Sequence, residues 1–172
     1  SEKGYLVRNE GGSEAMITVT TFPAALVDLA NPEAFEWIKS VIKEYMIGAG
    51  LSGWMADFGE WLPPGAVSAS GKASELLHNE YPVLWARANA EAIREAGLEN
   101  EIFFFCRSGY SGSAKSVPAF WAGDQMVDFS KTDGLPTVVT SALSLGFSGV
   151  GISHSDIGGY TSVGYIKRTK EV

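Results

Sequence analysis

Two carboxylates carry the chemistry that can be read in this chain. Asp57 closes the stretch Gly53-Trp54-Met55-Ala56-Asp57, with Glu60 three residues on. Asp124 closes Trp121-Ala122-Gly123-Asp124 and is followed by Gln125. Each acid ends an apolar run of strand character. A lone aspartate in that setting is most often a helix cap or a satisfied loop acid. Two of them, each flanked by aromatic residues, point to a pair facing one pocket. Paired carboxyls suit cleavage of a glycosidic bond: in a retaining reaction one attacks the anomeric carbon and the other protonates the leaving oxygen, across about 5–5.5 Å. One acid must be ionised and the other protonated, so their environments must differ. Arg107, ending the strand between them, is placed to hold Asp57 ionised. Phe120 and Trp121 are placed to desolvate Asp124. On these residues alone the reverse assignment stays open.

Other residues fill in a site or compete with it. Trp54, Trp61, Trp121 and Tyr160 could stack on sugar faces or pack as core aromatics. Arg107 could equally form a structural bridge to Asp156 or Glu60. His154 lies beside Asp156, but the chain has only 2 histidines and no paired-histidine spacing. No metal and no cofactor is therefore expected. Ser108, Ser111 and Ser113 lack a nucleophile-elbow motif and are not read as nucleophiles. Asp156-Ile157-Gly158-Gly159 reads as a tight turn whose glycines permit it.

The positioning elements alternate in type. Residues 4–20 read as a β-hairpin or lid-like excursion. A strand over 24–29 leads to a helix capped by Asn31 with Pro32 in its first turn. That helix carries an apolar stripe of Phe35, Ile38, Ile42 and Tyr45 and ends at Gly48 and Gly50. A strand over 51–57 and a loop from Trp61 to Lys72 follow. Next comes a helix over 74–96, closed by Gly97, with Tyr81, Leu84, Trp85 and Ala88 inward and a joint at Pro82. A strand over 101–106 reads as buried on both faces. A Gly/Ser loop over 110–116, a strand over 117–122, a helix capped by Asp133 and running to Leu145, and a strand over 150–153 complete the order.

Strands alternating with helices imply parallel strands with helical crossovers. Asp28, Asp57, Arg107, Asp124 and Asp156 all fall at C-terminal strand ends, which is the habit of a (β/α)8 barrel. A doubly wound nucleotide-binding sheet would show a glycine-rich phosphate loop, and none is present. The expected class is α/β, part of a (β/α)8 TIM barrel, about strands 3 to 7. A whole barrel takes about 250 residues, against 172 here. Residues 1–172 are accordingly expected to form a partial catalytic barrel domain, with further barrel strands and any β-sandwich domains outside it.

The net charge of −7 offers no footprint for nucleic acid. The short basic end Lys167-Arg168-Thr169-Lys170 reads as a solvated helix face. No apolar run is long enough to span a membrane. Cys106 is the single cysteine, which excludes an intrachain disulfide and fits a reducing, cytoplasmic location. Oligomeric state is not legible.

With these residues in view, the chain resembles the family-31 glycoside hydrolases, retaining α-glycosidases on a (β/α)8 barrel. The matching marks are Asp28-Leu29-Ala30-Asn31-Pro32-Glu33-Ala34, Trp54-Met55-Ala56-Asp57, Arg107-Ser108, Trp121-Ala122-Gly123-Asp124 and Asp156-Ile157-Gly158-Gly159, in family order. The resemblance implies that Asp57 is the nucleophile after the fourth barrel strand and Asp124 the acid/base after the sixth. It implies that Arg107 contacts substrate and orders the site. Ordinary α-glucosidases of the family tend to carry Asp-Met-Asn-Glu-Pro, Gly-Asp-Asn and Gly-Gly-Phe at three of these places. The present Ala56-Asp57-Phe58-Gly59-Glu60, Gly123-Asp124-Gln125 and Gly158-Gly159-Tyr160 are similar to the sulfoquinovosidase group instead. That likeness implies a sulfonated small-molecule glycoside as substrate, with Tyr160 helping to read the sulfonate. An α-glucosidase or α-xylosidase acting on a neutral sugar, and a non-catalytic carbohydrate-binding barrel fragment, are the competing expectations.

Overall fold

The computed structural model describes residues 2–19 and 21–162. The basic end at 167–170 lies outside the described residues. Among the described residues six strands and three α-helices run in order: β1 (Met16–Val19), β2 (Phe22–Ala25), α1 (Pro32–Val41), β3 (Gly53–Met55), α2 (Ser74–Glu95), β4 (Phe103–Cys106), β5 (Ala119–Trp121), α3 (Leu135–Phe147) and β6 (Ser153–His154). Strands β3, β4, β5 and β6 neighbour one another in that order, and every pair is parallel. Sequential parallel strands joined by crossovers form part of an α/β barrel wall, as expected. Among the described residues no helix is long and apolar enough to cross a membrane.

The alternating pleat divides the sheet residues. Trp54, Ala56, Phe104, Cys106 and Phe120 face the helices and pack with Ala86 and Ile93 of α2 in one buried cluster. Phe105, Trp121 and His154 meet on the other face, with edge-on ring contacts from Phe105 to Trp121 at 6.4 Å and to His154 at 4.7 Å. A second cluster joins α1 to α2 and to the N-terminal segment through Phe35, Tyr81, Ala88, Leu29 and Val7.

Asn31 caps α1 as expected: its side chain accepts the Glu33 N–H at 3.0 Å, with Pro32 in the first turn. The end of that helix departs from the simple stripe. Residues Ile42–Ile47 form a π-helical turn. Its wider turn rotates the later side chains about the helix axis. Ile42 stays buried, but Tyr45 swings out to 66% exposure instead of joining the stripe. Pro82 lies inside a continuous α2 and marks no joint. Asp133 does not cap α3, where the cap position belongs to Gly134.

The N-terminal excursion turns back on itself as expected, with Arg8 and Glu14 bridged antiparallel and the Ala15 N–H on the Val7 carbonyl at 2.9 Å, but it also pairs beyond residues 4–20. Strand β1 pairs antiparallel with β2, and the Val7 N–H bonds the Leu26 carbonyl at 2.9 Å. The segment expected as a strand over 24–29 is thus tied to this outlying pair rather than to the parallel sheet. Asp28 is correspondingly buried. Its carboxylate accepts from Ser68 Oγ at 2.8 Å and from the Ala69 N–H at 2.7 Å, clasping the loop that precedes α2.

Candidate active site

Three strand ends deliver the central group. The Ala56 N–H still bonds the Phe105 carbonyl at 2.8 Å, so the ladder holds up to the residue before Asp57. Arg107 directly follows β4. The Ala122 N–H bonds the His154 carbonyl at 2.9 Å and extends β5 toward Asp124. Position parity then aims Asp57, two residues past Met55, to the face opposite the helices.

Arg107 is the hub. Its Nε lies 3.3 Å from Asp57 Oδ1 and its Nη1 lies 3.8 Å from Asp124 Oδ2. Nε and Nη2 also donate to Glu60 Oε1 at 2.9 and 2.5 Å. One planar guanidinium therefore spans both acids and is itself aimed by a third, a task its fixed fork suits. Aromatic rings flank the cation: Phe58 at 4.5 Å and Trp121 at 6.0 Å from their centroids. Glu60 Oε1 also accepts from Trp61 Nε1 at 2.8 Å. The bridge between Arg107 and Glu60 is thus formed. Asp156 is engaged elsewhere, accepting from Trp121 Nε1 at 3.2 Å.

Asp57 is held on three sides. The Phe58 N–H donates to its Oδ1 at 2.8 Å, and Trp85 Nε1 donates to its carbonyl at 2.9 Å. Arg107 covers the same Oδ1, which leaves Oδ2 without a partner among the described residues. Phe58 has φ +60°, the one non-glycine residue with positive φ among those described. Such a conformation costs about 1–3 kcal/mol and persists where surroundings impose it. Here Ser108 Oγ donates to the Phe58 carbonyl at 2.6 Å. Gly59 continues the turn at φ +103°, where a Cβ would come within 2.6 Å of that same Oγ. Beneath the acid, burial pushes the Cys106 thiol up to about 12, and the negative charge of Asp57 adds to the effect.

Not every expected residue reaches the site. Trp54 turns away, to the helical side, where its Nε1 donates to Asn89 Oδ1 at 2.8 Å. The pleat explains this: Trp54 stands an odd number of positions before Asp57 and must face the other way. Phe120, one position before Trp121 on the strand, faces the opposite way from that ring and packs in the helix-facing cluster, so it cannot desolvate Asp124. The Asp124 side chain is 43% exposed. Gln125 is buried and turns its amide back to the Ala122 carbonyl. Tyr160 is 65% exposed and is fixed by its backbone N–H to the Gln125 carbonyl at 2.9 Å, beside the Asp124 loop. Phe58, Trp85 and Ser108 are the additions. Their signal was weak: Phe58 and Trp85 carry no reactive group, and Ser108, which lacks a nucleophile motif, acts here by holding the Phe58 carbonyl. A groove of about 800 Å³ runs from Arg107 and Trp121 out toward Ser144 and Val150 beside α3, and neither acid lines it.

Parallel strands with carboxylates at their C-terminal ends define a class, the (β/α)8 barrel with a site built from several strand ends. The chain belongs to the family-31 glycosyl hydrolases: the description "Glycosyl hydrolases family 31 TIM-barrel domain" matches residues 1–171. Among known proteins it is similar to a sulfoquinovosidase of Escherichia coli strain K12, 48% identical over 172 residues, covering 100% of this chain and 25% of that protein. It is 44% identical over 170 residues to a sulfoquinovosidase of Agrobacterium fabrum, covering 98% of this chain and 26% of the relative. Among solved structures, a family-31 sulfoquinovosidase from E. rectale in complex with an aza-sugar inhibitor superposes with a TM-score of 0.95 at 50% identity, over 99% of this chain and 26% of that one. The chain thus spans about a quarter of the length of the relatives it matches.

Proposed function

We propose that these residues form the central part of the catalytic barrel of a retaining α-glycosidase that cleaves α-sulfoquinovosides. The further barrel strands, and any β-sandwich domains, belong to the longer polypeptide. The observation that carries the reading is the single Arg107 guanidinium contacting both Asp57 and Asp124. Asp57 attacks the anomeric carbon with its unpartnered oxygen and forms a β-glycosyl ester. Asp124, the more exposed acid, hands a proton to the departing glycosidic oxygen. It then takes a proton from the water that opens the ester, and the sugar leaves with its α configuration retained. Arg107 sets its Nε against Asp57 and its Nη1 at 3.8 Å from Asp124, while Glu60 bonds Nε and Nη2 and so aims the guanidinium between the two acids. Trp61 and Trp121 are offered as sugar-facing rings, each with its N–H already tied to a carboxylate.

The substrate class rests on two supports. One is the name and the identity of the two relatives and the solved structure. The other is the set of residues around the acids: Phe58-Gly59-Glu60, Gln125 and Tyr160. Tyr160 is exposed beside the Asp124 loop, where its hydroxyl is free to donate to an anionic group. A cytoplasmic location belongs to the same reading and rests on the cysteine count.

The test is hydrolysis of nitrophenyl α-sulfoquinovoside beside nitrophenyl α-glucoside by the full-length enzyme. Turnover of the sulfonated substrate is expected, with the glucoside cleaved poorly. Turnover of the glucoside alone would replace the substrate class with a neutral sugar, and turnover of neither would favour a barrel that only binds carbohydrate.

A further inference from the structure

The loop that carries Asp124 and the loop that carries Tyr160 are fastened to each other. The Gln125 carbonyl accepts the N–H groups of both Tyr160 and Thr161, at 2.9 and 2.8 Å. The Val127 N–H returns a bond to the Thr161 carbonyl at 3.0 Å, and Met126 and Thr161 pair in parallel. Gly159 is forced by this approach: a Cβ there would lie 2.7 Å from the Met126 carbonyl oxygen, at φ +78°. One side chain completes the seam. Thr161 Oγ1 donates to the backbone carbonyl of Asp124 at 2.9 Å.

The Asp124 carboxylate itself is loosely held. Among the described residues its contact is the Arg107 ion pair at 3.8 Å, too long for a hydrogen bond. The residue before it, Gly123, has φ +84°, a conformation with little side-chain restraint of its own. The direction of the carboxyl therefore depends on how the backbone of residue 124 is fixed.

We propose that Thr161 is a positioning residue for the acid/base: its hydroxyl fixes the Asp124 peptide so that the carboxyl proton meets the glycosidic oxygen. Its neighbour Tyr160 shares the seam, so the same segment links substrate recognition to proton delivery. The proposal rests on the reading of Asp124 as proton donor. In the step concerned, the bond from the anomeric carbon to oxygen breaks, the electron pair leaves with oxygen, and the Asp124 proton transfers to it. An alkoxide leaving group needs that proton, whereas nitrophenolate leaves without it. Misplacing the donor must therefore harm glyceryl glycosides and spare nitrophenyl glycosides, a split that general loosening of the fold would not produce.

The experiment uses the full-length enzyme with Thr161→Val, Thr161→Ser and Asp124→Ala, and compares kcat/KM on nitrophenyl and glyceryl α-glycosides of whichever sugar the wild type hydrolyses. Asp124→Ala is expected to lose the glyceryl substrate selectively. Thr161→Val is expected to raise the nitrophenyl-to-glyceryl ratio by roughly fivefold, the rate equivalent of one hydrogen bond. Thr161→Ser, which keeps the hydroxyl, is expected to restore the wild-type ratio. If Thr161→Val does not fold, Thr161→Ala serves in its place. A ratio unchanged by loss of the hydroxyl, alongside a strong shift in Asp124→Ala, would overturn the role of Thr161 while leaving the acid/base reading intact. No selective loss in Asp124→Ala would overturn the acid/base reading and the proposal with it.

Discussion

At the scale of single residues, the site consists of three carboxylates sharing one cation. Arg107 meets Asp57, Glu60 and Asp124 because a guanidinium presents donors along two edges of a plane. Lysine, a point charge, cannot serve all three at once. Arg107→Lys in the full-length enzyme is therefore expected to lower kcat/KM by roughly a hundredfold, as a misplacement of about 1 Å can. A kinetic comparison with Glu60→Gln checks the logic. That change leaves Arg107 charged but less firmly aimed, and a smaller loss should result. Cys106 gives a test independent of activity. With its thiol pushed up to about 12 by burial and the nearby Asp57 charge, it stays protonated at pH 8. A thiol reagent should leave it unmodified in the native enzyme, read by intact mass, and modify it once the chain is unfolded.

At the scale of elements, an ionic cluster holds α1 against α2. Lys39, nearly buried, contacts Glu36 at 2.9 Å, Glu91 at 3.2 Å and Glu95 at 2.5 Å. Burial works to lower its proton affinity, but hydrogen bonds to Glu95, Glu36 and Glu91 outweigh it and raise the group above the ordinary lysine value. Removing the cation strands those carboxylates, so Lys39→Ala should cost about 1–3 kcal/mol, discounted for the partly exposed partners. A denaturation midpoint reads this directly. Glu95 supplies the pH dependence. Hydrogen bonds from Lys39 and then Lys43 lower it to about 2. Its folded value lies below its unfolded one, so its contribution is complete above about pH 4.3 and is lost as pH falls through the folded value. The stability gap between wild type and Glu95→Gln should narrow from pH 7 to pH 3. The sequence carried much at this scale. The Asn31 cap, the parallel strand order and the strand-end positions of Asp57, Arg107 and Asp124 were all readable. Tyr45 was misplaced because a π turn adds a residue that periodicity does not announce. Trp54 and Phe120 were misplaced although the period of two carried the answer: each lies an odd number of positions from a residue facing the site. Pro82 reads as a break in isolation, yet packing on both sides carries α2 through it. The left-handed Phe58 had no local signal, because its conformation is imposed by Ser108 and Arg107 from across the sheet.

At the scale of the molecule, one face is conspicuously apolar. On α3, Val139, Leu143 and Phe147 are 63%, 62% and 94% exposed. Faces of that kind bind partners or neighbouring elements, and the proposed longer barrel would supply them. These 172 residues expressed alone are expected to bind a hydrophobic dye and to associate, while the full-length enzyme does neither; size-exclusion chromatography with dye fluorescence distinguishes the two. The central claim, that Asp57 attacks the sugar while Asp124 manages the proton, is tested most directly by trapping the ester. The full-length enzyme would be treated with a ring-fluorinated α-sulfoquinovosyl fluoride, which forms the covalent intermediate faster than water releases it. Proteolysis and mass spectrometry are expected to find the added sugar on Asp57. A label on any other residue, or continued turnover by an Asp57→Ala enzyme, would contradict the account.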